Sequence, residues 1–375
     1  MAEKRVFLSS PTMHGEEQMF VKEAFDTNWV APLGKNVNEF EKEIASYVGV
    51  KDAAALVSGT SALHLAFKLC GIQQGDEVIC TDLTFAATVN PVSYEKAVQV
   101  FVDSEEETWN MSPEALEKAL KEHPKAKAVV VANLYGTPSK FDEITALCEK
   151  YGVTLIEDAA ESLGATYKGV QTGTFGKYNA ISFNGNKIIT TSGGGMLLSD
   201  DSEAIQKARF WSTQSRDPAP HYQHSEIGYN YRMSNIVAGI GRGQLIHLDE
   251  HVAIKKEIYE RYKKEFASLP LKMNPYIEGS MEPNFWLSCI IIDDDCDVEP
   301  YAIMDKLAED NIESRPIWKP MHMQPVFADC DFVYVADKPV SEKIFKKGLC
   351  LPSDIKMTEE EQTRVIETVK SFFKK

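Results

Sequence analysis

The sequence is short of positive charge. Its 40 lysines and arginines face 56 aspartates and glutamates, a formal net charge of -16. That balance argues against nonspecific binding to nucleic acid or to anionic membranes. Cysteine is scarce: the seven (Cys70, Cys80, Cys148, Cys289, Cys296, Cys330, Cys350) are scattered, odd in number, and form no C-x-x-C pair. This speaks against a disulfide framework and against a zinc site, so no metal is expected. No apolar run approaches the ~20 residues of a membrane span. Met1-Ala-Glu-Lys-Arg5 leads into no signal-peptide core. A reducing cytoplasm is the expected compartment. There is no G-x-x-x-x-G-K-[ST] phosphate loop, no internal repeat and no low-complexity tract. What remains is an ordinary globular composition over 375 residues, 43% hydrophobic and 26% charged, long enough for two domains.

The chain opens with helical patterns over Glu16–Asn28 and about Val37–Val48. From residue 53 short apolar runs alternate with helical ones. Strands are expected at Ala53–Val57, Glu77–Cys80, Val98–Val102, Ala128–Ala132, Val153–Ile156, Ala180–Phe183 and Met196–Leu198. Helices are expected between them, including Ala62–Cys70, Thr84–Tyr94, Ser112–Glu122 and Phe141–Tyr151. This rhythm predicts an α/β fold: right-handed crossovers and a mostly parallel sheet covered on both faces. Past Ser199 the rhythm changes. A helix over Ser202–Ser212 leads to a polar loop, Thr213–Gly228, and then to one long helix from Ser234 to Arg261 or beyond. A strand at Trp286–Ile292 and helices at Pro300–Asp310 and Glu359–Phe373 follow. The domain change is expected near 245–270, giving a large domain over 1–250 with an N-terminal helical segment and a smaller α+β domain over 251–375.

Three stretches carry chemistry. Lys187 is the only charged residue between Lys177 and Asp200, after the turn Asn184-Gly-Asn186 and before Gly193-Gly-Gly195. Apolar surroundings disfavour the charged amine, and a neutral lysine amine is a nucleophile toward carbonyls. A hairpin with a snorkelling lysine on its rim is the bland alternative. Asp158 follows the apolar strand Val153–Ile156, where ligands bind in open α/β sheets. A carboxylate there can hold a ring nitrogen protonated, or simply cap a helix. Ser58-Gly-Thr-Ser61 joins a strand to a helix, as an anion site or a plain cap. One lysine, one aspartate and one phosphate cradle, on three strand ends of one sheet, describe a site for pyridoxal 5′-phosphate.

The chain resembles the pyridoxal-phosphate-dependent nucleotide-sugar aminotransferases (the DegT/DnrJ/StrS family) from about Phe7 to Ser371. The resemblance rests on Ala31-Pro-Leu-Gly34, Ser58-Gly-Thr-Ser-Ala-Leu-His-Leu-Ala66, Thr84-Phe-Ala-Ala-Thr88, Leu134-Tyr-Gly136, Ile156-Glu-Asp-Ala-Ala160, Gly228-Tyr-Asn-Tyr-Arg232 and Arg315-Pro-Ile-Trp-Lys-Pro-Met-His322. It implies the aspartate-aminotransferase fold (fold type I), with a seven-stranded sheet, a smaller C-terminal domain and a homodimer with composite active sites. Residue by residue, it implies Lys187 as the Schiff-base lysine, Asp158 as partner of the pyridine nitrogen, and Phe85 as the ring that stacks on the cofactor. Gly59, Thr60 and Ser182 match the phosphate ligands, with Ser61 and Asn184 beside them. Asn230 matches an asparagine that reaches the other subunit's phosphate. Glu161 stands near the ring hydroxyl, where relatives carry Gln or His. Ser182–Gly195 is similar to the branch acting on UDP-linked 4-keto-6-deoxy-N-acetylhexosamines, including the bacillosamine-pathway enzymes. Arg315, Trp318 and His322 resemble that branch's sugar-nucleotide segment; a packed histidine is the alternative for His322.

The implied activity is transfer of an amino group from L-glutamate to C4 of a UDP-linked 4-keto sugar. A GDP-linked 4-keto-6-deoxyhexose is the alternative substrate. A sugar dehydratase on the same fold replaces the lysine with histidine, so Lys187 argues against it. A non-catalytic regulator would not need Lys187, Asp158 and Thr60 intact. Two other motifs read as bland. Gly239-Ile-Gly-Arg-Gly243 follows no strand, so a dinucleotide site is not expected. His221-Tyr-Gln-His224 has no further ligands nearby and reads as a surface loop.

Overall fold

Seven five-residue strands between Asp52 and Ser199 lie side by side in one sheet. The computed structural model describes residues 4–373. The strand order is Asp52–Leu56, Gly195–Ser199, Tyr178–Ser182, Thr154–Asp158, Ala128–Ala132, Glu77–Thr81, Val98–Val102. Gly195–Ser199 runs antiparallel to both its neighbours; the other strands are parallel. Four or five residues of each strand are buried because both faces are covered. Ala54 and Leu56 point into one core and Ala53 and Ala55 into another. Val130 likewise faces the first core, while Val129 and Val131 face a third.

The expected seven strands gain an eighth. Asp331–Val333, from the C-terminal part, pairs parallel with Val98–Val102. It covers an edge that would otherwise expose unpaired backbone groups. Its Phe332 ring stacks on His322 at 3.8 Å between centroids.

Two expected helices differ. The Thr84–Tyr94 stretch is a 3-10 turn, Ala86–Thr88, followed by a short helix, Asn90–Tyr94. Pro91 sits at the start of that short helix, where its missing N–H costs nothing. The expected long helix is two, Asn235–Leu245 and Leu248–Phe266. Glycines at 239, 241 and 243 let the first lie directly on Phe20, Phe40 and Glu17, and at 241 and 243 the approach is closer than a Cβ allows. That packing fixes the first helix against the N-terminal helices and the chain turns at Ile246–His247.

A second, antiparallel sheet follows in the order Leu271–Met273, Ser288–Ile292, Gly348–Leu351, Arg315–Pro316. Ile258, Tyr262 and Phe266 of helix Leu248–Phe266 pack in its core, together with Val6 from the N-terminus. Leu248, at the other end of that helix, packs with the large sheet. We propose this helix as the joint between the two parts. Among the described residues, no helix is long and apolar enough to cross a membrane.

Candidate active site

Strands Asp52–Leu56, Tyr178–Ser182 and Thr154–Asp158 are mutually parallel, so their carboxyl ends share one edge of the sheet. A cavity of about 540 Å³ opens at that edge. Gly59, Thr60, Phe85, Asp158, Glu161, Ser182, Asn184, Lys187 and Trp318 all line it. Residues far apart in sequence meet here because most follow one of these strands, while Phe85 follows the parallel strand Glu77–Thr81 and Trp318 comes from the second sheet's side.

Lys187 lies on the connection between strands Tyr178–Ser182 and Gly195–Ser199. Backbone bonds close that loop on itself: Lys187 N–H to the Asn184 carbonyl at 3.0 Å, Thr191 N–H to Phe183 at 2.9 Å, and Phe183 N–H to Gly194 at 2.9 Å. Ile188 and Ile189 anchor it in the core. The connection is hairpin-like, as the bland reading has it, but the lysine does not snorkel. Its Nζ sits 4.0 Å from the centre of the Trp286 ring and 4.0 Å from Glu161 Oε1. Burial lowers its pKa, against the pull of Glu161 and Asp158. A lowered amine pKa is what a nucleophilic lysine needs.

Asp158 ends its strand with both oxygens engaged. Oδ2 accepts from the Thr88 hydroxyl at 2.7 Å and Oδ1 from the Ala160 N–H at 3.0 Å. Thr84 and Thr88 hydroxyls lie 2.7 Å apart, which orients the donor. Burial raises the Asp158 pKa, while Thr88, Ala160 and Lys187 oppose it. Beneath it, Glu157 accepts from the Gly173 N–H, the Phe175 N–H and the Asn133 amide. Burial pushes the Glu157 carboxyl up to about 7.

Glu161 Oε2 accepts the Tyr135 N–H at 2.7 Å. Tyr135 has φ 52°, a left-handed conformation that costs about 1–3 kcal/mol for a side chain of this kind. That conformation aims its N–H at Glu161, while its phenol accepts the Trp318 N–H at 3.1 Å. Burial raises the Glu161 pKa to about 7; Lys187 works in the opposite direction.

At the far end of the cavity, Ser58 caps helix Gly59–Leu69 by accepting the Ser61 N–H at 3.0 Å. The Gly59 and Thr60 N–H groups keep no partner among the described residues, and both residues line the cavity. Free N–H groups at a helix start, with the positive end of its dipole, attract anions. Space is tight at Gly59: a Cβ there would stand 3.0 Å from the Ser182 Cβ. Gly195 is more tightly constrained, since its Cβ would meet the Gly59 nitrogen at 2.3 Å.

Four expected site residues are not in this cavity. Ser61 is buried, its N–H and hydroxyl both tied to Ser58. Arg315 is exposed and pairs with Glu313 at 2.7 Å. His322 is held by Asp82, with its Nδ1 2.9 Å from Oδ2, and by its stack on Phe332. Burial opposes its charge, but Asp82 and Glu342 outweigh it and raise its pKa. This is the packed-histidine alternative in geometry. Asn230 is exposed, on a backbone bridge to Thr213.

Three features went unassigned in the sequence. Thr88 carries Asp158, yet only the i,i+4 spacing of Thr84 and Thr88 hints at it. Trp286 roofs Lys187, and its own N–H donates to the Asn186 carbonyl at 2.6 Å. Its place in an apolar strand pattern conceals that role. Tyr135 is given no role by the sequence either, because backbone conformation, not side-chain chemistry, makes it useful.

Residues 11–370 match the DegT/DnrJ/EryC1/StrS aminotransferase family. The chain belongs to this family. It is 54% identical over 376 residues to EpsN of Bacillus subtilis (strain 168), provisionally named a pyridoxal phosphate-dependent aminotransferase, covering 99% of this chain and 96% of that protein. It is 37% identical to the GDP-perosamine synthase of Caulobacter vibrioides, covering 96% of each. It is 38% identical over 254 residues to the UDP-4-amino-4,6-dideoxy-N-acetyl-beta-L-altrosamine transaminase of Campylobacter jejuni, covering 66% of this chain and 67% of that one. The chain is thus a sugar aminotransferase with pyridoxal phosphate as cofactor, on the type I fold.

Proposed function

We propose that this aminotransferase moves an amino group from L-glutamate to C4 of a UDP-linked 4-keto-6-deoxy-N-acetylhexosamine, as in the bacillosamine-type branch. The convergence of Lys187, Asp158 and the free N–H groups of Gly59 and Thr60 on one cavity carries the reading. The residues fit pyridoxal phosphate. The two unpartnered N–H groups and Ser182 suit its phosphate. Asp158, buried and, among the described residues, without a cationic side chain in hydrogen-bonding contact, suits its protonated ring nitrogen. Lys187 suits its aldehyde, and Phe85, 5.4 Å from Trp318 between ring centroids, forms an apolar wall. Asn184 and Glu161 complete the lining.

When bound, the cofactor supplies an electron sink that stabilises a carbanion at the carbon bearing the amine. The protein supplies the rest. Asp158 keeps the ring nitrogen charged. Lys187 Nζ, its pKa lowered by burial, would take a proton from one carbon and return it to another as base and then acid. Trp286 and Trp318 exclude water from that amine. Glu161 lends negative charge beside it without a fixed protonation state near neutrality.

UDP over GDP is supported by the likeness of residues 182–195 to the UDP-sugar branch and by the Campylobacter jejuni relative. The Caulobacter vibrioides relative, matched over nearly the whole chain, favours the GDP-linked reading. Supplying glutamate with a panel of UDP- and GDP-linked 4-keto sugars, and identifying the product by mass spectrometry and NMR, separates the two. Amination of GDP sugars alone would replace the UDP reading. We assign Arg315, Trp318 and His322 to the sugar-nucleotide side of the site. Asn230 we assign to the partner's cofactor in a homodimer. Its exposure, and that of Ile227 (83%) beside it, supports a covering partner.

A further inference from the structure

Away from the candidate active site, helix Leu248–Phe266 is entered through His247-Leu-Asp-Glu250-His251. The His251 N–H bonds the His247 carbonyl at 3.0 Å, so the two histidines stand one helical turn apart. Side chains four apart share a face. The H-x-x-E-H spacing is one by which a single helix presents two imidazoles to a metal. A third imidazole joins them from far away in sequence. The His14 ring stacks on His247 at 3.7 Å between centroids, and its Nε2 lies 2.7 Å from His251 Nε2. Ligand atoms of His14, His247 and Glu250 all lie within 4.8 Å of one another.

The outer contacts match as well. His251 Nδ1 lies 2.8 Å from the Ile188 carbonyl oxygen. A carbonyl only accepts, so Nδ1 carries the proton and Nε2 presents a lone pair. His247 Nε2 lies 3.3 Å from Glu16 Oε2, leaving Nδ1 on the side of Glu250, 3.1 Å from its Oε2. Metal-bound histidines characteristically donate their other ring N–H to a carbonyl or carboxylate. Both helix histidines have such an acceptor in place.

We propose that His14, His247, Glu250 and His251 form a binding site for one divalent first-row transition cation of the zinc class. Imidazole nitrogens with one carboxylate suit zinc, nickel or copper rather than magnesium or calcium. Binding asks that the His14 ring turn out of its stack toward the shared space. The cation would tie the N-terminal segment and the start of helix Leu248–Phe266 to Ile188, the residue after Lys187. The exposed pair His221 and His224 belongs to no such cluster among the described residues and serves as a control.

The test uses holoenzyme freed of metal by chelator and dialysis. Zinc binding is followed by calorimetry and cobalt binding by its ligand-field absorption. One cation per chain is expected. Affinity should fall by at least the roughly 10–100-fold that loss of an outer contact alone costs, both in His14→Ala and in His247→Ala. It should not change in His224→Ala. Both substitutions leave the buried His251 and its bond to Ile188 in place, and cofactor absorbance with circular dichroism checks the fold. Failure of the parent enzyme to bind zinc, binding that survives both substitutions, or binding lost in His224→Ala would overturn the proposal. Should a variant not fold, the cobalt spectrum of the parent decides: bands of the hydrated ion alone exclude the site.

Discussion

Replacing Glu161 with Gln preserves size and removes one charge facing Lys187. Glu161 Oε1 lies 4.0 Å from Lys187 Nζ. Unit charges at that distance attract by about 4 kcal/mol at an effective dielectric of about 20, or about 3 pKa units. That figure is a ceiling, because burial holds Glu161 near 7 and it is only part ionised at neutral pH. The sign follows from the opposing causes. Burial lowers the Lys187 pKa, while Glu161 and Asp158 raise it. Without the Glu161 charge, the pKa falls further and more amine is free at any given pH. Only the free amine attacks an aldehyde carbon. The assay is therefore the rate at which cofactor-free enzyme regains its visible band with added pyridoxal phosphate, measured across pH. In Glu161→Gln the midpoint of that profile should move down by about 1–3 units. Superimposable profiles, or a midpoint moved upward, would refute the charge coupling.

Asp158→Asn removes the charge meant for the ring nitrogen while keeping the Thr88 contact feasible. Cofactor should still bind, with turnover lower by about 10²–10⁴-fold, from the roughly 3–5 kcal/mol that loss of a buried charged partner costs; near-normal kcat would assign Asp158 another role. The homodimer is tested by recombining Lys187→Ala and Asn230→Ala chains, each poorly active alone. A heterodimer holds one site with both lesions and one with neither, so activity should rise well above either parent. No gain, with heterodimer and cofactor saturation demonstrated, would place Asn230 outside the partner's site.

The strands were readable because both faces of the sheet are covered, so runs such as Ala128–Ala132 are apolar throughout. The eighth strand was not, since Asp331-Phe-Val333 is too short to announce itself and is defined by its pairing with Val98–Val102. The break at Ile246–His247 was hidden because both helices share one periodic pattern, and contact with Phe20 and Phe40 sets the first one's direction. At the site, Lys187 stood out as a lone charge and Asp158 as a carboxylate just past an apolar strand. Trp286 and Tyr135 did not, because their roles come from the second sheet's approach and from a left-handed backbone. The partners of His322 and Arg315 were equally hidden: Asp82 and Glu313 pair with them within this chain, and residue type alone announces neither contact.

Reduction with borohydride tests the central claim most directly. Holoenzyme should be yellow, lose its visible band on reduction, and yield one pyridoxyl-modified peptide bearing the label on Lys187. Label on any other lysine, or no visible band in protein saturated with pyridoxal phosphate, would contradict the assignment of this cavity as the active site.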